Sequence, residues 1–196
     1  MYLSWLHTLA AYINQPKFSL IFMQFLYKCC HPKEWFAPPT IEECSAFNSA
    51  IKVHHSTVTT CYVPSDLSAS GGLQHKQIHS TPNFFGHPCY DTIFVVTDNS
   101  WLGMEGMEIG HVLLFFSFEY WHKTFLCVLI NWFVHTDGCD LDTQMWIVRQ
   151  EVNHHGKLTL KVIHLDSIAW GAHFFACIWT ITCSGGLQSP HCSEHL

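Results

Sequence analysis

The stretch HVLLFFSFEYWHKTFLCVLINWFVH, residues 111–135, decides the fold of this chain. It contains two runs of β-branched and aromatic residues, 111–120 and 124–135, which favour extended strands. Only residues 121–123 separate the two runs, a connection short enough to join adjacent antiparallel strands. We therefore predict a β-hairpin here, with Trp121 exposed at its tip.

Six aromatic residues of this hairpin have two roles open to them. They could form a base-stacking platform or a peptide-binding cage on the sheet. Alternation along a strand sends half of such side chains inward, which makes core packing the better interpretation for most of them. The six residues are Phe115, Phe116, Phe118, Tyr120, Trp132 and Phe133.

Further strands are expected on either side of the hairpin. After Ile51 the residues become β-type and predict a strand that ends at Pro64, whereas the Ser- and Gly-rich residues 65–82 predict a loop around a short helix at 73–78. The other predicted strands are residues 92–97, 145–152 and 158–165, with turns at 103–106, 136–142 and 153–157. Together these strands predict a small, curled antiparallel sheet or a barrel.

The amino-terminal segment has a different periodicity. Apolar residues recur every three to four positions in residues 3–13 and 18–30, which is the pattern of two short helices. A chain of 196 residues suits one hydrophobic core. The predicted fold class is therefore α+β, with a helical segment at 1–44, a β-rich domain at 45–176 and a disordered tail at 177–196.

The composition is unusual in its charged residues. The chain has one arginine, Arg149, beside 16 His, 10 Cys and 8 Trp, and its formal net charge of -6 is unfavourable for binding phosphates. One transition turns a CGN arginine codon into a codon for His, Cys, Trp or Gln. Two hypotheses follow: the coding sequence has decayed by C-to-T mutation, or the His and Cys residues were selected to bind metal.

Several blocks of residues, taken in order, carry a resemblance to a known family. The blocks are CYVPSDLSASGGLQHKQIHSTP (61–82), YDTIFVVTD (90–98), GMEGMEIGHVLLFFSFEY (103–120), FLCVLINWFVH (125–135), DTQMWIV (142–148) and VIHLDSIAWGAH (162–173). They resemble the carboxy-terminal region of Plavaka-type transposon proteins of fungi, whose pattern begins roughly FYAPSDLSGxGGMRRExIRxTP and YDxVFVxxD. The resemblance covers about residues 45–175.

The departures from this pattern fall mainly at its arginines. Each replacement is a one-transition product of a CGN codon, so the resemblance favours decay over selection for metal binding. We interpret the following seven positions as lost basic contacts: Gln74, His75, His79, Cys89, His111, Trp121 and Trp170. After His173 the family-like residues are replaced by unrelated ones, which we interpret as a frameshift or intron product in a degenerate fragment.

The resemblance also implies a function. Plavaka-type proteins are regarded as DNA transposases whose acidic, metal-binding catalytic residues lie upstream of the matched region. We therefore expect no enzyme and no cofactor, but a remnant of an accessory module that engaged DNA or chromatin, with weak DNA binding in this copy. No secretory signal or membrane span is predicted, so the expected location is intracellular, and nuclear if the chain is expressed.

Two other classes of function stay open. One is a zinc-stabilised binding module, for which the tail offers four residues of the types that zinc accepts: Cys183, His191, Cys192 and His195. The other is a hydrolase, although Ser65, Asp66 and the histidines show no spacing that fixes a catalytic triad. Asp140 and Asp142 offer carboxylates for a hard cation, but a solvated acidic turn is the better interpretation.

Adjacent pairs of His and Cys have simpler interpretations. Neighbouring residues in a strand point to opposite faces, so residues 54–55 and 154–155, both His-His, are not expected to chelate one ion. Cys29 and Cys30 end a predicted helix and are interpreted as buried or idle thiols rather than a redox couple.

Overall fold

The computed structural model describes residues 2–3, 6–31, 47–62, 73–98, 100, 106–139 and 146–172. The helices are α1 (Leu6–Tyr12) and α2 (Phe18–Cys30), and a 3-10 turn spans Leu165–Ser167. The strands are β1 (Tyr2–Leu3), β2 (Ile51–His54), β3 (Ser56–Tyr62), β4 (Leu73–Phe84), β5 (His87–Tyr90), β6 (Thr92–Val96), β7 (Met107–Tyr120), β8 (Lys123–Cys139), β9 (Trp146–Gln150), β10 (Leu160–His164) and β11 (Ile168–Ala172).

A long antiparallel hairpin, β7 and β8, forms the centre of the fold. Its pairing runs from Ile109 opposite Phe133 to Tyr120 opposite Lys123. Trp121 and His122 form the two-residue turn with φ angles of 48° and 58°, and positive φ at both central residues is the conformation that matches the twist of paired strands. The Trp121 side chain is 71% exposed. The predicted hairpin with an exposed tip is therefore confirmed.

Four shorter strands pair with the two edges of this hairpin. On one edge, β2 pairs with the carboxy-terminal part of β7 and β6 with its amino-terminal part. On the other edge, β10 pairs with the middle of β8 and β9 pairs with its carboxy-terminal part. Strand β1 extends the sheet beyond β2, and β11 extends it beyond β6. Among the described strands this eight-stranded sheet is open at its edges, so an antiparallel sheet is confirmed and the barrel alternative is wrong.

The helices cover one face of the sheet. Phe18 and Phe22 of α2 are fully buried against β7, and the ring centroid of Phe22 lies 4.9 Å from that of Phe118. Leu9 of α1 joins the same cluster. The α+β class and the amino-terminal helical pair are confirmed, although α1 begins at Leu6 rather than residue 3. Neither described helix has the length and hydropathy needed to cross a membrane.

The opposite face of the sheet buries a second apolar cluster. A β-bulge at Leu113 lets Val112 pair with Ile130 and Leu114 with Leu129. Residues two apart normally share a face of a strand, but the extra residue sends Val112 and Leu114 to opposite clusters. Most of the hairpin aromatics are buried, as predicted: Phe115, Phe116, Phe118 and Trp132.

A three-stranded sheet of β3, β4 and β5 packs on this second face. Residues 73–78 were expected to form a short helix within a loop, and this expectation is wrong because they belong to strand β4. Seven residues of β4 pair with β3, and Ile78 is fully buried in the cluster that contains Val112 and Phe115. Pairing and burial therefore outweigh the polar local composition.

Smaller boundaries also differ from the sequence-based expectations. The strand predicted after Ile51 is divided at His55 into β2 and β3, and its described part ends at Tyr62. The turn predicted at 136–142 is wrong for residues 136–139, because β8 continues to Cys139. The turn at 153–157 is confirmed, since the Asn153 side chain accepts hydrogen bonds from the backbone N–H groups of His155 and Lys157. Residues 63–64, 103–105 and 140–142 lie outside the described residues.

We expect Phe22→Ala to lower the free energy of unfolding by about 3 to 5 kcal/mol, because it removes a fully buried ring between α2 and β7. The matched control is Phe85→Ala, since Phe85 is 90% exposed. Urea unfolding followed by tryptophan fluorescence measures both variants. Equal losses in the two variants would contradict the packing of α2 on the sheet.

Candidate functional site

The seven arginine-pattern positions lie on five parts of the fold. Gln74, His75 and His79 lie on β4, Cys89 on β5, His111 on β7, Trp121 in the hairpin turn and Trp170 on β11. For Gln74 only the backbone is described, paired with Cys61. Two of the seven, His79 and Cys89, contact the carboxylate of Asp91, and the charge of Asp91 also acts on His111.

His79, Cys89 and Asp91 form a close group, which we call the Asp91 cluster. The Oδ2 atom of Asp91 accepts a hydrogen bond of 2.7 Å from the backbone N–H of His79 and lies 3.2 Å from Nδ1 of the His79 ring. The Cys89 thiol lies 3.9 Å from Oδ1 of Asp91. Both carboxylate oxygens are therefore engaged by neighbouring side chains.

Strand pairing places these three residues together. Ser80 pairs with Tyr90 across β4 and β5, and the backbone N–H of Asp91 donates to the carbonyl of His79 at 3.0 Å. Cys89 and Asp91 are two residues apart, so the period of a strand puts them on one face. His79 lies directly opposite Asp91 on that face.

The Asp91 cluster is partly shielded from water. The ring of Phe84 lies 4.5 Å from the His79 imidazole, between centroids, and all three members of the cluster are partly buried. Burial raises the pKa of the Cys89 thiol, and the charge and hydrogen bond of Asp91 raise it further. The cluster thus holds a carboxylate next to a protonated thiol.

His111 borders the cluster from the main sheet. The backbone N–H of Val112 donates to the carbonyl of Asp91 at 3.0 Å, which fixes β7 beside it. Burial lowers the pKa of His111, and the negative charge of Asp91 only partly opposes this effect. The imidazole of His111 is therefore neutral at pH 7.

A buried polar residue lies opposite His111 on the neighbouring strand β8. Asn131 pairs with His111 in the β7–β8 register and is 0% exposed. Neither its Oδ1 nor its Nδ2 has a hydrogen-bond partner in the part of the chain that the structure describes. Leaving such groups unpaired costs roughly 1 to 3 kcal/mol of stability.

The three-stranded sheet turns one polar face to solvent, which we call the outer face. His75 bonds to Thr60 at 3.0 Å, and the Gln77 amide donates to the Ser56 hydroxyl at 3.1 Å. Lys76 points the other way and donates to the carbonyl of Gly171 at 3.4 Å. The outer face comprises Ser56, Val58, Thr60, His75, Gln77 and His79.

The two tryptophans among the seven positions have aromatic neighbours. Trp121 stacks on Tyr120 with ring centroids 5.0 Å apart, and Trp170 lies 5.6 Å from Phe94. Trp121 is ten residues along the chain from His111, about 33 Å in an extended strand. The fold therefore does not bring Trp121 to the Asp91 cluster.

A cleft of about 330 Å³ opens between the α1–α2 turn and the sheet. Its lining includes the apolar Val53 and Leu113 and the partly exposed Tyr12 and Tyr90. Ser80 also lines it, is 3% exposed, and its hydroxyl has no hydrogen-bond partner among the described residues. Ser80 and Tyr90 alternate with His79 and Cys89 along β4 and β5, so the cleft lies on the opposite face of these strands from the Asp91 cluster.

Several of the other candidate site residues predicted from the sequence lie outside the described residues. The tail ligands and acidic pair lie outside: Cys183, His191, Cys192, His195, Asp140 and Asp142. Ser65 and Asp66 also lie outside. The adjacent residues His54 and His55 were expected to point to opposite faces, and they do. His54 is hydrogen-bonded to Ser117 at 2.9 Å, whereas His55 is exposed.

Three cysteines outside the cluster, Cys29, Cys30 and Cys127, are not activated thiols. Burial, followed by the neighbouring Cys30, raises the pKa of Cys29 to about 11. Burial also raises the pKa values of Cys30 and Cys127. Because the thiolate is the nucleophile, thiols that stay protonated at neutral pH are poor candidates for catalysis.

Asp91 is the functional candidate that the sequence did not single out. Its neighbours in the cluster belong to β4 and β5, and their proximity depends on strand register. One signal was present in the sequence, because Asp91 matches the acidic residue of the YDxVFVxxD pattern that residues 90–98 resemble.

Comparison of the chain with protein-family models, curated proteins and solved structures gives no match. The resemblance to Plavaka-type transposon proteins remains a prediction that rests on the residue blocks in the sequence.

We expect Ser80→Ala to leave the free energy of unfolding unchanged or to raise it by up to about 1 kcal/mol, because the lost hydroxyl has no described partner. The matched control is Ser117→Ala, which removes the 2.9 Å bond to His54 and should cost about 1 kcal/mol. Chemical denaturation measures both. An equal loss in Ser80→Ala would mean that its hydroxyl is hydrogen-bonded in solution.

Proposed function

We propose that this chain is a non-catalytic remnant of a transposase-like protein, and that its β-rich body was once an accessory module that bound DNA or chromatin. The proposal implies a nuclear location. The observation that carries it is the convergence of three arginine-pattern positions, His79, Cys89 and His111, on polar groups suited to arginine. The carboxylate of Asp91 is one such group and the amide of Asn131 is the other.

Arginines at these three positions would change the electrostatics of the region. Guanidinium groups form paired hydrogen bonds with carboxylates and phosphates. Asp91 would neutralise and orient one of three such groups, leaving a net positive region beside the outer face. A fourth arginine at position 75 would lie on the same face of β4 as position 79. This arrangement suits a phosphate backbone.

The unpaired Asn131 supports the same proposal independently of DNA. A buried amide without partners is rare in folded proteins. An arginine at position 111, directly opposite Asn131, supplies donors for its Oδ1 atom. The short, neutral imidazole of His111 makes no such bond in the described structure.

The present side chains explain why binding by this copy should be weak. His111 is neutral at pH 7 because burial lowers its pKa, and Cys89 is a protonated thiol beside the Asp91 carboxylate. Together with the formal net charge of -6, this leaves little to displace counterions from DNA. The raised thiol pKa values likewise favour a binding role over nucleophilic catalysis.

We expect His111→Arg to raise the free energy of unfolding by about 1 kcal/mol or more, because the guanidinium can pair with Asn131 and Asp91. His111→Met is the control, since it has similar reach but no donors and should not stabilise the protein. Urea unfolding at pH 7 measures both. A loss of stability in His111→Arg that matches His111→Met would contradict an arginine-binding environment.

We expect the triple variant His79→Arg, Cys89→Arg, His111→Arg to bind duplex DNA at least about ten-fold more tightly than the present chain. The slope of log affinity against log salt should steepen by about 0.9 for each new phosphate contact. Fluorescence anisotropy between about 50 and 200 mM salt measures both quantities.

The matched control adds the same charge at exposed histidines outside the pattern: His87→Arg, His122→Arg and His154→Arg. An equal gain in this control would show that net charge alone is responsible. That result, or no gain in the triple variant, would argue against an ancestral DNA-binding surface around Asp91.

A further inference from the structure

The Asp91 cluster combines three kinds of metal ligand in a small space. It offers an imidazole nitrogen, a thiol sulfur and a carboxylate oxygen, and one such atom from each residue lies within 4.8 Å of the others. Zinc accepts all three types of ligand. The cluster is distinct from the tail residues in which the sequence suggested a zinc site.

The distances are close to those that a bound ion requires. With zinc bonds of about 2.0 Å to nitrogen and oxygen and about 2.3 Å to sulfur, tetrahedral ligand atoms lie about 3.2 to 3.8 Å apart. Nδ1 of His79 lies 3.2 Å from the Asp91 carboxylate, and Sγ of Cys89 lies 3.9 Å from it. These two distances run to different carboxylate oxygens, and the three ligand atoms all lie within 4.8 Å of one another, so side-chain movements of about 1 Å complete the geometry.

The backbone holds the ligands in place before any ion arrives. His79 and Asp91 are joined by a backbone hydrogen bond of 3.0 Å, and the His79 N–H fixes the carboxylate at 2.7 Å. Cys89 lies on the same face as Asp91, because the two residues are two positions apart in an extended chain. Such supporting bonds orient the ligands of established metal sites.

Electrostatics favour a cation at this point. A thiolate beside the Asp91 carboxylate would bring two negative charges together. A divalent ion reverses this repulsion and allows the thiol to lose its proton. A sulfur and a nitrogen ligand also favour zinc or cobalt over magnesium or calcium, which prefer oxygen.

We infer that His79, Cys89 and Asp91 bind a divalent zinc-type metal ion, with water in the fourth position. Binding releases the Cys89 proton to solvent, and a neutral His79 carries its proton on Nε2 so that Nδ1 binds the ion. The ion joins β4 to β5 and to the residue that precedes β6. This site does not depend on the proposed transposon origin, and it gives the present side chains a use that ancestral arginines would not have.

The test is a titration of the purified, reduced full-length chain with Co²⁺, followed by displacement with Zn²⁺. A thiolate ligand gives cobalt a charge-transfer band in the near ultraviolet, and four-coordinate geometry gives intense visible bands. We expect both signals at one equivalent of Co²⁺, and loss of both on addition of Zn²⁺.

Variants assign the signal to the cluster. Cys89→Ser should abolish the charge-transfer band, and Asp91→Asn, which keeps the shape of the side chain, should weaken cobalt binding by more than about 100-fold, beyond the loss of a supporting group alone. Cys30→Ser is the matched control and should leave the spectrum unchanged. Circular dichroism confirms that each variant is folded.

The tail supplies the competing explanation. The double variant Cys183→Ser, Cys192→Ser should keep the cobalt spectrum if the Asp91 cluster is the site. Loss of the band in this double variant, with retention in Cys89→Ser, would overturn the proposal. A wild-type chain that gives no thiolate band at several equivalents of Co²⁺ would overturn it as well.

Discussion

The antiparallel pairing of β7 with β8 is the constraint on which the rest of the structure depends. Each strand of this hairpin supplies an edge to two further strands, and each face supplies one of the two apolar clusters. The helices, the three-stranded sheet and the Asp91 cluster all take their positions from it. Because the two clusters use alternate residues of the same strands, the hairpin is buried on both sides, which accounts for its near-continuous apolar sequence.

The elements with strong local signals could be predicted from the sequence. The hairpin follows from two long β-type runs around a short connection, and α2 has the predicted bounds of 18–30 because its apolar period is regular. Strand β4 could not be predicted, since its residues are polar and its pairing partner lies across a Gly-containing segment. The bulge at Leu113 gives no local signal either, because every neighbouring residue is apolar.

The site was predictable only in part. The resemblance in the sequence predicted lost arginines at His79, Cys89 and His111. The contacts of His79 and Cys89 with Asp91 could not be predicted, because they require the register of β4 with β5. The Asp91 cluster therefore has two physical interpretations. The Asp91 carboxylate can be a partner for arginines at the positions where the family pattern predicts them, and the present side chains of the cluster suit a metal ion. The unpaired amide of Asn131 bears only on the first of them.

The bulge at Leu113 makes the chain sensitive to changes in length. The bulge determines which cluster each residue of β7 joins. Inserting or deleting one residue there would therefore move the side chains of half of the strand to the opposite face of the sheet. Replacing one side chain at the rim of the sheet alters only its own contacts. This fold can therefore accumulate many point substitutions while keeping its topology. A single codon gained or lost within the hairpin would disrupt that topology.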